Sequence, residues 1–198
     1  MKKMIIGLCL IAPAAAMATD FSYNYIEAGY AYADGDRDVE GDGYAATVGW
    51  SPGENVYTRL GAEYTTIDDS PLEGYGVNLA IGGYAPLSES IDVYLGILGG
   101  WLEITDIPFS SDLDGYSAGG EIGMRAWLLP KTIELDLSGT YLDIVGGDLD
   151  DIDADSDDFI GAVDVRVYPI ECLSIGVGYA RAFDAETDTY SVALRYDF

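Results

Sequence analysis

Aspartates at every second position are the residues of this chain that come closest to a site for chemistry. Segments 34–38 and 151–157 both contain the D-x-D-x-D spacing that calcium-binding loops use. A loop of that class also needs a glycine at its sharp turn and a closing glutamate. Those positions are occupied here by Val39, Ala45, Ser156 and Ala162. Neither segment is therefore an EF-hand.

The second segment lies within a longer acidic stretch, residues 146–158. Its aspartates are Asp148, Asp150, Asp151, Asp153, Asp155, Asp157 and Asp158. Mutual repulsion keeps such a stretch extended unless cations neutralise it. Two interpretations stay open: weak, unspecific binding of Ca²⁺ or Mg²⁺, which would link the loop to anionic lipopolysaccharide, and a solvated, mobile loop. The second is favoured, because runs of like charge are usually solvated.

The sequence lacks the residue types on which most enzyme active sites depend. The chain contains no histidine, which removes the commonest general base and the imidazole partner of a nucleophile. Glu134 and Asp136 share one face of a predicted strand, but nothing in the sequence indicates a carbohydrate cleft beside this carboxylate pair. We therefore predict a protein that is not an enzyme, with no catalytic residues, no cofactor and no dedicated metal ligands.

The overall charge narrows the choice of partners. Nine Lys and Arg residues against 35 Asp and Glu residues give a formal net charge of −26. Binding to a nucleic-acid backbone needs clustered basic side chains, so nucleic acid is excluded as a partner. Hydrophobic residues make up 49 % of the chain, which is too many for a disordered acidic chain.

The N-terminal segment predicts export. Two lysines precede an apolar run, and residues 16–18 read A-M-A, the small-x-small pattern before a cleavage site. We expect a signal peptide over residues 1–18, cut before Thr19, and a single domain over residues 19–198. A membrane anchor would need an apolar run of about 20 residues. Cys172 is then the only cysteine of the exported chain, so no internal disulfide is expected, only a small residue in a short turn.

Residues 19–198 alternate between apolar and polar side chains, which is the period of β-strands. Ten segments are predicted, over residues 22–33, 43–51, 56–66, 74–85, 91–103, 115–128, 133–145, 158–168, 173–183 and 188–198. Short connections with proline alternate with connections that are mostly longer and acidic. This alternation is typical of an all-β, antiparallel, up-and-down transmembrane β-barrel. Ten strands are favoured; the alternative is eight, with residues 158–183 as a long excursion.

The two faces of these segments are the reverse of those in a soluble barrel. In residues 91–97, Ile, Val, Leu and Ile alternate with Asp, Tyr and Gly. A face rich in glycine and charge cannot build a packed core, so the aliphatic face must meet lipid. The inward glycines fill little volume, and we expect them to leave room for water.

An aromatic residue recurs on the aliphatic face near the long-loop end of every predicted strand. The set is Tyr32, Tyr44, Tyr64, Tyr75, Trp101, Tyr116, Tyr141, Phe159, Tyr179 and Tyr190. Such a ring is typical of the girdle at a membrane–water interface. Trp50, Tyr196 and Phe198 would supply a sparser ring at the other end.

The opposite face places ionisable side chains inside the barrel. They are Glu27, Arg59, Glu63, Asp92, Glu121, Arg125, Glu134, Asp136, Asp164, Arg166 and Arg195. A tight turn near Pro130 brings Arg125 opposite Asp136, so we predict that these two are in contact, with Arg166 near enough to join them. A structural network of ion pairs is favoured over a charged constriction in a narrow pore.

The closing sequence Y-S-V-A-L-R-Y-D-F, together with the signal peptide and the strands, resembles the small outer-membrane β-barrel proteins of Gram-negative bacteria. In that family a terminal Phe with apolar residues at alternate preceding positions is recognised by the barrel-assembly machinery. Phe198, Tyr196, Leu194, Val192 and Tyr190 match that pattern here. The resemblance implies a monomer in the cell outer membrane, in contact with lipid and lipopolysaccharide.

Two functions follow as expectations. The first is a structural or surface-interaction role for a non-enzymatic barrel whose acidic loops face outside the cell. The alternative is a narrow channel, porin-like, that prefers cations because the chain is strongly acidic. Nothing in the sequence names a ligand.

Overall fold

The computed structural model of the chain describes residues 21–35, 39–107, 112–149 and 157–198. Residues 1–18, with the expected signal peptide, lie outside these ranges, as do residues 36–38 and 150–156 of the two aspartate-rich segments. The described residues form ten strands. They are β1 (Tyr25–Gly35), β2 (Val39–Gly53), β3 (Val56–Ile67), β4 (Glu73–Ser88), β5 (Ile91–Thr105), β6 (Leu113–Leu129), β7 (Ile133–Gly146), β8 (Asp157–Ile170), β9 (Leu173–Ala182) and β10 (Thr187–Asp197).

Every strand pairs antiparallel with its neighbours in sequence, and β1 pairs with β10 to close the barrel. The prediction of an antiparallel up-and-down barrel with ten strands is therefore confirmed. The eight-stranded alternative is wrong, because residues 158–183 do not leave the wall. They form β8 and β9, which pair with each other across the two-residue turn at 171–172.

The barrel has two unlike ends. The turn end carries the connections 54–55, 89–90, 130–132 and 171–172, together with the start of β1 and the end of β10. The loop end carries the other five connections. Cys172 lies in the last of the four turns, as expected, and has no disulfide partner. No helix within the described ranges is long and apolar enough to cross a bilayer.

The segment before β1 differs from its prediction. Residues 22–24 were expected to begin the first strand, but β1 starts at Tyr25 and the preceding residues fold across the turn end. The Phe21 ring stacks on Trp127 with centroids 4.2 Å apart and planes within 6°. Tyr23 is buried and stacks on Tyr84 at 4.2 Å. The alternation of aromatic and polar residues continues here, but it serves to cover the mouth of the barrel.

The strands have the predicted faces, aliphatic on the outside of the barrel and charged on the inside. Aliphatic side chains cover the outside; Ile97, Leu95 and Ile122 are among the most exposed. Most of the inward set is buried, including Glu27, Asp92, Arg125 and Arg195, while Glu63 and Asp164 are half-buried. Charge inside and hydrocarbon side chains outside is the arrangement that a barrel in lipid requires.

The aromatic girdle also lies where the alternation places it. Its members point outward, and many are direct partners in the ladders: Tyr44 with Tyr64, Tyr64 with Tyr75, Trp101 with Tyr116, Tyr141 with Phe159, Tyr179 with Tyr190, and Tyr190 with Tyr32. Ring centroids of Tyr64 and Tyr75 are 5.1 Å apart, and those of Tyr179 and Tyr190 are 5.5 Å apart. The rings thus form pairs at one end of the barrel, and the belt is offset between pairs where tilted strands stagger.

Candidate functional site: the interior of the barrel

The half of the interior nearer the turn end is filled by ion pairs. The first joins β3 to β6: Arg59 Nη2 lies 2.6 Å from Glu121 Oε2. The hydroxyl of Tyr57 donates to the other oxygen of Glu121 at 2.6 Å. All three side chains are buried, so both oxygens of this carboxylate are satisfied without water.

A second ion pair joins β6 to β7, and its partner differs from the one predicted. Arg125 and Asp136 are opposite each other in the ladder, as the turn near Pro130 implied. However, Arg125 Nε lies 2.7 Å from Glu134 Oε1 and 3.6 Å from Asp136 Oδ2. The predicted contact exists, but Glu134 is the closer partner. The hydroxyl of Tyr94 donates to Asp136 at 3.1 Å, which supplies the second carboxylate with a donor.

A third cluster centres on Glu27 and crosses the closing seam. Arg195 Nε donates to Glu27 Oε2 at 2.8 Å, and Arg166 Nη2 lies 2.7 Å from the same oxygen. Arg166 was expected near the Arg125–Asp136 contact; it lies opposite Glu134 in the β7–β8 ladder, but its ion pair is with Glu27. The guanidinium of Arg166 crosses β9 directly over Gly176, where a Cβ would lie only 3.2 Å from Cζ, and so reaches Glu27.

Inward glycines in this half do not leave space for water, contrary to expectation. Tyrosine rings lie on them: Tyr25 covers Gly49, Tyr57 covers Gly82 and Gly96, and Tyr94 covers Gly123. Each glycine lacks the side chain that would hold a ring away from the wall, so the rings lie flat and fill the lumen. The guanidinium of Arg195 packs over the Tyr25 ring at 4.0 Å from its centroid. We call these side chains together the plug: the ion pairs of Arg59, Arg125, Arg166 and Arg195, and the rings of Tyr25, Tyr57 and Tyr94.

The half nearer the loop end is different, because apolar residues take over the inward positions. Leu102, Ile104 and Ile144 form one buried cluster, and Leu142 with Ile160 belongs to a second. Three side chains of the loop end pack against the first cluster: Leu72, Ile107 and Leu149. This apolar zone was not predicted from the sequence, although Leu98 marks its beginning on the inward face of β5.

A cavity lies in this zone, between the plug and the loop end. Its volume is about 80 Å³. Its lining is Arg59, Glu63, Asn78, Ala80, Leu98, Leu102, Ser117, Glu121, Ser138, Thr140, Leu142, Ile160, Ala162 and Ala180, with Gly100 and the backbone near Val77 and Trp101. The Arg59–Glu121 pair of the plug is thus one wall of the cavity.

The carboxylates that the sequence offered for catalysis or metal binding have other partners where the structure describes them. The carboxylate pair Glu134 and Asp136 is occupied by Arg125 and by tyrosine hydroxyls. No group of three or more Asp, Glu or Cys side chains in the described ranges could hold a metal ion. At the loop end, Asp158 uses both oxygens to accept hydrogen bonds from the backbone N–H groups of Asp184 and Ala185, at 3.0 and 3.1 Å.

Comparison with known proteins finds relatives only in structure. No protein-family model matches the chain, and no curated protein sequence matches it. The structure of neisserial surface protein A is similar with a TM-score of 0.50 and 13 % identity, over 88 % of this chain and 96 % of that one. The NanC porin is similar with a TM-score of 0.53 and 7 % identity, over 87 % and 100 % of the two chains. At such identities the likeness shows the fold alone.

The structure of this chain agrees with the fold of those two proteins. In this chain the strand ladder is closed, the outer surface is aliphatic with an aromatic belt, and the charges are inside. In hydrocarbon only closure satisfies every backbone group of a sheet. The chain is an integral membrane barrel of ten antiparallel strands, with the fold of the outer-membrane β-barrel proteins.

Proposed function

We propose that this protein is a non-conducting, non-enzymatic barrel of the outer membrane that acts at the cell surface through its loop end. The observation that carries the proposal is the plug. Ion pairs and tyrosine rings occupy the lumen of the turn half, where a solute would have to pass. The loop end, by contrast, is acidic and would face outward when the turn end faces the periplasm.

The plug opposes conduction because a carboxylate holds each of its arginines. Arg59, Arg125, Arg166 and Arg195 all lie within 3 Å of a buried carboxylate oxygen. An ion crossing the barrel would have to separate a buried pair, and leaving one partner uncompensated costs about 3–5 kcal/mol. We therefore interpret the pairs as structural, the alternative favoured from the sequence.

The loop end supplies the surface for partners. Beside the girdle, tyrosine hydroxyls donate to outward carboxylates: Tyr75 to Glu73 at 2.7 Å, Tyr179 to Asp188 at 2.7 Å and Tyr141 to Asp157 at 3.2 Å. Carboxylates at this level adjoin the phosphates of lipopolysaccharide in an outer membrane. We propose that divalent cations weakly bridge these carboxylates to the phosphates, and that the acidic stretch 146–158 contributes to this cation binding. We also propose that the barrel-assembly machinery recognises the C-terminal strand.

A narrow cation-preferring channel is the second candidate. One observation favours it: inward carboxylates outnumber inward guanidinium groups, since Glu63, Asp92 and Asp164 add to those already paired. A lumen with excess negative charge attracts cations. This candidate requires a continuous path for water through the plug.

Conductance in planar bilayers separates the two candidates. The purified barrel should give no steps in 1 M KCl, whereas a Tyr57→Ala/Arg59→Ala variant, which removes a ring and a guanidinium from the plug, should give small steps. A matched variant, Tyr75→Ala/Arg181→Ala, changes the same residue types outside the lumen and should stay silent. Cation-selective steps from the unaltered protein would overturn the proposal in favour of the channel.

Cation binding by the acidic stretch needs its own measurement. Amide hydrogen exchange of peptides spanning 146–158 should slow when millimolar Ca²⁺ is added to the protein in bilayers that contain lipopolysaccharide. Replacing Ca²⁺ with a matched ionic strength of Na⁺ should not slow it. Equal exchange in both salts would remove the bridging role.

A further inference from the structure

The cavity of the loop half is large for the interior of so small a barrel. A single water needs about 10–15 Å³ of such volume, so the 80 Å³ found here hold several. Folded interiors are otherwise packed as densely as organic crystals. The plug occupies the lumen next to this cavity, which we call the chamber, and its Arg59–Glu121 pair forms the wall on that side.

The walls of this chamber suit an apolar body. Leu98, Leu102, Leu142 and Ile160 contribute hydrocarbon, and Ala162 and Ala180 keep the opposite wall shallow. A few polar side chains, including Asn78 and Thr140, interrupt this apolar lining. Ligand pockets typically combine a mainly apolar lining with a small number of polar groups that fix orientation.

Glu63 is the polar group that stands out. Its carboxylate lines the chamber, and its Oε2 is shielded from solvent with no hydrogen-bond partner. The residues opposite it on the neighbouring strands are Ala45 and Gly76, neither of which offers a side-chain donor. Glu121 and Glu27, by comparison, each have an arginine within 3 Å.

The guanidinium nearest along the same strand is that of Arg59. Its Nη2 lies 2.6 Å from Glu121, on the floor of the chamber. A buried carboxylate without a cation costs free energy unless something compensates it. A chamber with apolar walls and one such carboxylate is complementary to an apolar molecule that carries its own positive charge.

We propose that the chamber binds a small organic amine: an apolar body against Leu98, Leu142 and Ile160, with its ammonium group on Glu63. The ligand enters from the loop end, because the plug closes the other side. Leu72, Ile107 and Leu149, which pack over the apolar cluster at that end, lie on its route. This inference goes beyond the surface role proposed above and does not depend on whether the barrel conducts.

Three small compounds of one size, chosen to fit a volume of about 80 Å³, test the proposal: isobutylamine, isobutanol and isobutyrate. Their binding is measured by equilibrium dialysis against the barrel in lipid nanodiscs, with empty nanodiscs subtracted. The amine should bind at least about tenfold more tightly than the alcohol, since a hydrogen bond to a charged group contributes about 1.5–3 kcal/mol. The carboxylate should not bind measurably.

Variants assign the effect to the chamber. Glu63→Gln keeps the shape of the side chain and should abolish the preference for the amine, while Glu103→Gln, on the outer face of β5, should preserve it. Ala180→Trp, or Ala162→Phe if the first fails to fold in a heat-modifiable gel shift, should abolish binding of both the amine and the alcohol. Equal affinity of the amine and the alcohol, a preference that survives Glu63→Gln, or binding that survives a filled chamber would overturn the proposal.

Discussion

Arg125 Nε lies 2.7 Å from Glu134 Oε1, although the residue opposite Arg125 in the β6–β7 ladder is Asp136. The guanidinium thus bonds diagonally and still keeps Asp136 at 3.6 Å, so one cation serves two carboxylates of the same strand. The Phe21 ring, 4.9 Å from the guanidinium carbon, closes the remaining side from the turn end.

Removing the guanidinium of Arg125 should destabilise the folded barrel. Arg125→Ala leaves Glu134 and Asp136 buried without their ion-pair partner, and we expect the free energy of unfolding to fall by about 3–5 kcal/mol. Urea unfolding in lipid vesicles, followed by the heat-modifiable gel shift, measures it. Arg181→Ala is the control, because Arg181 pairs with Asp188 at an exposed position and its loss should change little. Equal effects of the two variants would contradict the role of the plug.

Replacing Gly96, a wall residue of β5, with alanine should displace the Tyr57 ring of the plug. A Cβ there would overlap the hydroxyl of Tyr57, which is held by Glu121. We expect Gly96→Ala to lower the free energy of unfolding by about 1–3 kcal/mol, the usual range for overpacking. Gly99→Ala on the outer face of the same strand meets only an ordinary contact with Ser117 O at 3.4 Å and should be neutral. The same unfolding assay compares the two variants, and a neutral Gly96→Ala would show that the ring is not fixed there.

The cover over the turn end should be visible by fluorescence. Phe21 lies on the Trp127 ring, so Phe21→Ala should expose that ring to acrylamide in a protein whose other tryptophans, Trp50 and Trp101, are replaced by phenylalanine. The Stern–Volmer constant should rise at least about twofold if the stacked face becomes accessible. Phe183→Ala, at the loop end, should leave the quenching of Trp127 unchanged. Unchanged quenching in Phe21→Ala would mean that the N-terminal residues do not cover the mouth.

The connection between β9 and β10 should depend on one buried carboxylate. Asp158→Ala leaves the N–H groups of Asp184 and Ala185 without an acceptor, and each buried unsatisfied group costs about 1–3 kcal/mol. Hydrogen exchange at residues 183–186 should therefore speed up at least about tenfold. The neighbouring Asp157→Ala removes a carboxylate that bonds only outward, to Tyr141, and should leave those amides unchanged. Equal protection in both variants would contradict the anchoring role of Asp158.

Strand number, pairing and faces could be predicted because each depends on local period. Alternation over residues 91–97 fixes which side chains meet lipid, whatever the neighbouring strands do. Short turns then fix register, which is why Arg125 was placed opposite Asp136. The belt of rings follows from the same two facts, since residues of one parity near one end must lie side by side.

Contacts that depend on reach across the lumen could not be predicted. Glu134 and Asp136 are two residues apart on one face, and strand period alone does not decide which of them Arg125 prefers. Arg166 finds Glu27 by crossing a strand that is bare at Gly176, a feature that becomes meaningful only with the register in hand. The chamber likewise arises from side chains on several strands, so no single segment shows it.

The seam between β1 and β10 joins the two ends of the folded chain, with Tyr25 opposite Asp197 and Glu27 bonded to a residue 168 positions away. A chain that lacks β1 or β10 cannot form this seam, and its open edge would face the bilayer. Insertion must wait for the last few residues to arrive, which makes assembly a late, concerted and slow event governed by long-range contacts. A chain that stops before β10 should accordingly fail to give the folded band of a heat-modifiable gel shift.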